Sequence, residues 1–69
     1  MRTEQDVLND FEKLSWKIII NNEEEITLRY GLVGKLFISR CFEYYQCECS
    51  INIQEHKLLN ELFQIWRWI

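Results

Sequence analysis

Proline is absent from this chain of 69 residues, glycine occurs only at positions 31 and 34, and the single histidine is His56. Without proline, and with no glycine-rich, repetitive or low-complexity stretch, nothing divides the chain, so residues 1–69 are expected to form one small domain. Long apolar runs are missing as well. The longest is Ile18-Ile19-Ile20, against the roughly 20 residues that a membrane-spanning helix needs. The opening residues Met1 to Asp6 have neither the apolar stretch nor the small-residue cleavage site of a secretory signal. The expectation is a cytoplasmic protein with no membrane partner. A basic excess is lacking too, since 8 Lys and Arg stand against 11 Asp and Glu for a net charge of −3. The basic residues are scattered among acids, which disfavours nucleic acid as a partner. Three cysteines form no even framework, and in a reducing compartment they read as free thiols.

What the chain does have is aromatic surface: three Trp, three Tyr and four Phe. A domain this short buries only about 60% of the surface its unfolded chain exposes, and each aromatic ring contributes about 150–250 Å² to that burial. Disorder is therefore not expected. Thr3 followed by Asp6 has the shape of a helix N-cap with an acid at the positive end of the dipole. Val7, Leu8, Phe11 and Leu14 then recur at helical spacing, so an amphipathic helix runs from near Glu4 to Leu14 or Ser15.

From Trp16 the period changes to two, with Trp16, Ile18 and Ile20 pointing one way and Lys17, Ile19 and Asn21 the other. Asn21 to Glu24 form a turn, after which Ile26, Leu28 and Tyr30 alternate against Glu25, Thr27 and Arg29. Gly31 to Lys35 mark a second turn. Leu36 to Ser39 and Phe42 to Cys49 are strand-like, either as two strands or as one long bulged strand, with the boundary near Arg40 and Cys41.

Helical periodicity returns after Asn52, which with Glu55 follows the capping-box pattern. Leu58, Leu59, Leu62, Phe63, Ile65, Trp66 and Ile69 occupy one broad stripe. The expected fold is α+β: an antiparallel sheet of three to four strands with an N-terminal and a C-terminal helix packed on one face. Trp16, Ile18, Leu28 and Leu62 are expected to be buried together.

Cys41, Cys47, Cys49 and His56 are residue types that zinc prefers. Their separations of five, one and six intervening residues do not match the two to four residues usual between paired zinc ligands, so small buried thiols are the simpler account. His56 has no nucleophilic elbow beside it and reads as a surface histidine. Glu23 to Glu25 lack the Asp-Gly pattern of a calcium loop and read as a solvated tip. Phe42, Tyr44 and Tyr45 echo a base-stacking platform, but Glu43 and Glu48 share the stretch and cross-strand packing is the simpler account. Trp68 differs from all of these. It falls roughly 60° beyond the apolar stripe, beside Lys57, Glu61 and Gln64, and Trp is enriched in binding hot spots.

Phe11-Glu12-Lys13-Leu14-Ser15-Trp16, Gln54-Glu55-His56-Lys57-Leu58-Leu59 and Glu61-Leu62-Phe63-Gln64-Ile65-Trp66-Arg67-Trp68 carry a resemblance. In these phrases the chain resembles small uncharacterised phage, prophage or mobile-element proteins of low-GC Gram-positive bacteria. The resemblance implies a small domain of α/β type with no assigned activity, and it transfers no functional residue. No catalytic set and no cofactor site is expected. The expected function is a non-enzymatic protein-interaction module, with another protein or a second copy of itself as partner and Trp68, Lys57, Glu61 and Gln64 as the surface. The alternatives are a metal or redox sensor built on Cys41, Cys47, Cys49 and His56, or a single-strand nucleic-acid binder. A cleft of about 300 Å³ or more with convergent polar groups would argue for a ligand or active site instead.

Overall fold

Thr3 closes the N-terminus of helix α1 (Glu4–Lys13): its hydroxyl accepts from the Asp6 backbone N–H, and the Asp6 carboxylate accepts in return from the Thr3 N–H at 2.9 Å. Asp6 thus completes a reciprocal box that more often uses Glu or Gln. These atoms belong to a computed structural model that describes residues 2–68. Leu14 caps the other end of α1, and Ser15 takes a left-handed backbone (φ 75°) to redirect the chain into the sheet.

Four strands follow, β1 (Trp16–Asn21), β2 (Glu25–Tyr30), β3 (Gly34–Ser39) and β4 (Tyr44–Cys47), and then helix α2 (Ile53–Arg67). The strands form an antiparallel meander in the order β1-β2-β3-β4, and the helices pack against it in an α+β arrangement. Val7, Leu8 and Phe11 of α1 and Leu58, Leu59 and Leu62 of α2 enclose the core with Trp16, Ile26, Leu28, Leu36 and Ile38 of the sheet. Each such side chain contributes about 1.5–3 kcal/mol by leaving water. Of the four residues expected to be buried together, Trp16, Leu28 and Leu62 are, while Ile18 is half-buried. Leu14, Phe63, Ile65 and Trp66 pack on the margin of the core, and Ile69 lies outside the described residues.

The region from Leu36 to Cys49 is two strands and not one bulged strand. Residues Arg40 to Glu43 turn between them, and in place of glycine the chain uses Glu43 at a positive φ of 49°. Phe42 therefore sits on the turn, 83% exposed, outside any strand.

The alternation of the first strand needs correction at its bulge, whereas β2 keeps the faces expected for it. The register slips between Ile18 and Ile20, so Ile20 lies opposite Thr27 and not on the face of Trp16 and Ile18. A bulge adds one residue to one strand, and every side chain beyond it changes face. Tyr30 is half exposed at the end of β2, where its ring tilts against Trp16 at 5.5 Å. Thr27, on the face away from the helices, is nonetheless only 1% exposed, and its hydroxyl donates to the Glu25 carboxylate at 2.7 Å.

The register lays three rows across the face that carries no helix. Lys17, Arg29 and Lys35 stand side by side nearest the β2–β3 turn. Ile20, Thr27, Phe37 and Gln46 form the middle row, and Glu25, Ser39 and Tyr44 the row nearest the β1–β2 turn.

Candidate interaction surface

Trp68 follows the last turn of α2 as its C-cap, its backbone N–H donating to the Ile65 carbonyl at 3.2 Å. The cap holds the backbone while the indole remains 81% exposed, so the side chain does not fold back over the sheet. Ile65, Glu61 and Gln64 lie one to two turns earlier and share one open groove of about 310 Å³ with Trp68 and Arg2. Arg2 reaches this groove from the N-terminal side, with its guanidinium between Asp10 at 2.5 Å and Glu61 at 3.2 Å. Three of the four residues singled out by sequence, Trp68, Glu61 and Gln64, are thus brought together. Lys57 is not among them. It lines a separate groove of about 460 Å³ beyond the Arg2–Glu61 pair, with Gln54, Leu58 and Leu14, because it sits eleven residues, about three turns, before Trp68 on the same helix.

Sequence reasoning passed over the network beside this surface. The Glu4 carboxylate accepts from the Arg40 guanidinium through both oxygens and from the Trp66 indole N–H at 2.8 Å. The Arg40 guanidinium also lies 5.0 Å from the centre of the Trp66 ring and donates to the Asn22 carbonyl and the Asn21 side chain. Hydrogen bonding by Arg40 holds the Glu4 carboxyl below the usual range, opposed by burial and aided more weakly by the Trp66 hydrogen bond. α1, α2 and two turns of the sheet are tied at this one point.

The four metal-type residues are not gathered. Among the described residues no three His, Cys, Asp or Glu side chains form a group that could hold a metal. Cys47 and Cys49 sit with sulfurs 3.2 Å apart, whereas Cys41 is exposed on the β3–β4 turn. Its hydrogen bond to Cys47 and then its burial push the Cys49 thiol up to about 11, so it stays protonated at neutral pH and is a poor nucleophile. His56 packs edge-on against Tyr45, with 3.0 Å between the phenol oxygen and Nε2.

Two further depressions reach the size of a ligand site. One of about 440 Å³ holds Trp16, Tyr30, Cys49, Ser50, Asn52 and Glu55 among its walls. Its only carboxylate is already engaged: Glu55 accepts from the Trp16 indole N–H with one oxygen and from the Asn52 backbone N–H with the other. The other, of about 400 Å³, lies on the helix-free sheet face between Glu24, Glu25, Phe37 and Tyr44. Ser39, Cys41, Tyr44 and the two acids line it, and the Glu25 carboxylate accepts from the Thr27 hydroxyl and not from any of these three. No helix of the described residues is long and apolar enough to cross a membrane. Compared with protein families, with curated proteins and with solved structures, the chain matches none.

Proposed function

We propose that this domain is a non-enzymatic protein-binding module, of phage or mobile-element origin and cytoplasmic, that grips a partner protein with the C-terminal face of α2. The observation that carries the reading is the exposed Trp68 indole held on a capped backbone. A Trp side chain has two rotatable bonds and so loses little freedom on binding, and truncation of a hot-spot anchor costs about 2 kcal/mol or more in affinity, on the order of thirtyfold. Ile65 offers an apolar floor beside it, and the Arg2–Glu61 pair and Gln64 supply a polar rim, the usual arrangement around a hot spot. The partner segment that fits is one with an apolar anchor flanked by polar side chains.

The test compares wild type with Trp68→Ala and Trp66→Ala as baits in host extract, with thermal melts of all three. A partner held by wild type and lost by Trp68→Ala, whose melt stays within about ±0.5 kcal/mol of wild type, supports the reading. Trp66→Ala removes the Glu4 hydrogen bond and the Arg40 contact and is expected to melt early. Equal destabilisation by the two substitutions would make Trp68 part of the packing and overturn it.

A further inference from the structure

The three rows on the helix-free sheet face differ in charge: Lys17, Arg29 and Lys35 at one end with Glu48 beyond them, apolar and neutral side chains in the middle, and Glu25 with Ser39 and Tyr44 at the other. Lys17, Arg29 and Lys35 are direct cross-strand neighbours, all exposed, and none forms an ion pair with a described residue. Like charges placed directly opposite in a sheet repel, and Glu48, whose N–H donates to the Lys35 carbonyl, brings an acid to the β4 end of this row. At the far end Glu25 opens β2, and the exposed Glu23 and Glu24 precede it on the turn. The turn is held in place. Asn22 accepts from the backbone N–H groups of Glu24 and Glu25, each at 2.9 Å, and the Arg40 N–H donates to the Glu24 carbonyl.

We propose that this face docks a second copy of the same chain, sheet on sheet, about a two-fold axis that runs across the strands over Thr27 and Phe37. Such an axis reverses strand direction and preserves position across the sheet. It therefore lays the row of Lys17, Arg29 and Lys35 of one copy over the row of Glu25, Ser39 and Tyr44 of the other, twice, with Glu25 as the acid of that row. Arg29 and Glu25 belong to the same strand on either side of Thr27, so Arg29 of each copy meets Glu25 of the other. Two-fold contacts require this self-complementarity, in which residue i meets j and j meets i. The middle row meets itself, and there the half-buried Phe37 and the buried Thr27 present little charge. Sheets stacked this way sit about 10 Å apart with strands crossing near −30°. Independently of whether α2 binds another protein, the sheet face provides for self-association.

At about 4.8 Å per strand and 3.4 Å per residue, four strands of up to six residues give a footprint near 400 Å². That is about half of what each partner buries in a standard interface, so the dimer belongs to the weak class and forms in the micromolar range or above. Its charge pairs make it salt-sensitive.

Sedimentation of the full chain from about 10 μM to about 1 mM, at low salt and again at about 0.5 M, reads this directly. The expected result is a concentration-dependent dimer that weakens with salt. Arg29→Glu and Glu25→Arg should each weaken self-association at least about tenfold, by setting like charges face to face. Mixing the two variants should restore it. In the mixed dimer the new carboxylate at position 29 of one variant meets the new guanidinium at position 25 of the other, and the unaltered Arg29 meets the unaltered Glu25. Should loss of the Thr27–Glu25 hydrogen bond lower the melt of Glu25→Arg, Glu24→Arg takes its place. A monomer at every concentration, single variants that associate like wild type, or a mixture that stays monomeric would overturn the proposal. So would a monomer whose cationic row instead binds a single-stranded oligonucleotide, with binding lost in Arg29→Glu.

Discussion

Glu55 holds the indole of Trp16 and the N-terminus of α2 with one carboxylate: Oε2 accepts from Trp16 Nε1, and Oε1 accepts from the Asn52 backbone N–H at 3.0 Å. Glu55 and Trp16 are both shielded from water, at 6% and 3% exposed. A capping box usually stabilises one helix end. Here the same residue also pins the first strand of the sheet to the last helix, 39 residues apart.

Glu55→Ala is expected to cost about 2–3 kcal/mol, since it strands a buried indole N–H and removes half of the cap. Glu55→Gln keeps a single acceptor oxygen for two donors, so it should lose about half as much. Urea denaturation distinguishes them, and equal losses for Ala and Gln would mean that only one of the two hydrogen bonds matters.

Leu62→Ala should cost about 2–5 kcal/mol, which approaches the whole stability of about 3–5 kcal/mol expected for so small a core. Leu62 is fully buried and joins α2 to the core. A loss below about 0.5 kcal/mol, the range of surface changes, would show that α2 does not seal the sheet.

Acid should unfold the domain through its paired carboxylates. Arg40 and Trp66 lower the pKa of Glu4, Arg67 that of Glu43, and the Thr3 cap that of Asp6. Each folded-state value lies below the unfolded one, so the stabilisation is complete above the ordinary values of 4.5 for Glu and 3.8 for Asp and disappears as pH falls through the folded values. Melting temperature should be flat from neutrality to about pH 5 and then drop. Glu4→Gln should lower the plateau and flatten the drop, and an unchanged acid limb in that variant would remove Glu4 as a contributor.

Ser15→Gly should raise stability by a few tenths to about 1 kcal/mol. Ser15 follows the α1 cap at φ 75°, a conformation that costs a side-chain-bearing residue about 1–2 kcal/mol and that glycine adopts freely, less the extra entropy glycine loses on folding. Ser15→Val should destabilise, and thermal melts of the pair check the sign.

Both helices, the Thr3 N-cap, the Asn52–Glu55 capping box and the inward positions of β2 were legible in the sequence because they are local. The period of Val7, Leu8 and Phe11, and the three-residue spacings Thr3–Asp6 and Asn52–Glu55, depend only on neighbours along the chain. β1 was read through to Ile20 without its bulge, since three successive isoleucines carry no polar marker of which face each takes. The break between β3 and β4 lacked the usual signal, because Glu43 occupies the positive-φ position where glycine or asparagine would have announced a turn.

The exposure of Trp68, its place beside Glu61 and Gln64 and the distance of Lys57, three turns earlier, followed from helix geometry, whereas the arrival of Arg2 from the other end of the chain did not. Residue order thus determined which side chains each element presents. Tertiary structure alone decided the meetings across the chain: Glu4 with Arg40 and Trp66, Glu55 with Trp16, and Lys17 with Arg29 and Lys35. The physical reason is register. A strand's faces are set by its own alternation, but its neighbours are set by where the turns and the bulge place it, and a slip of one residue exchanges every partner.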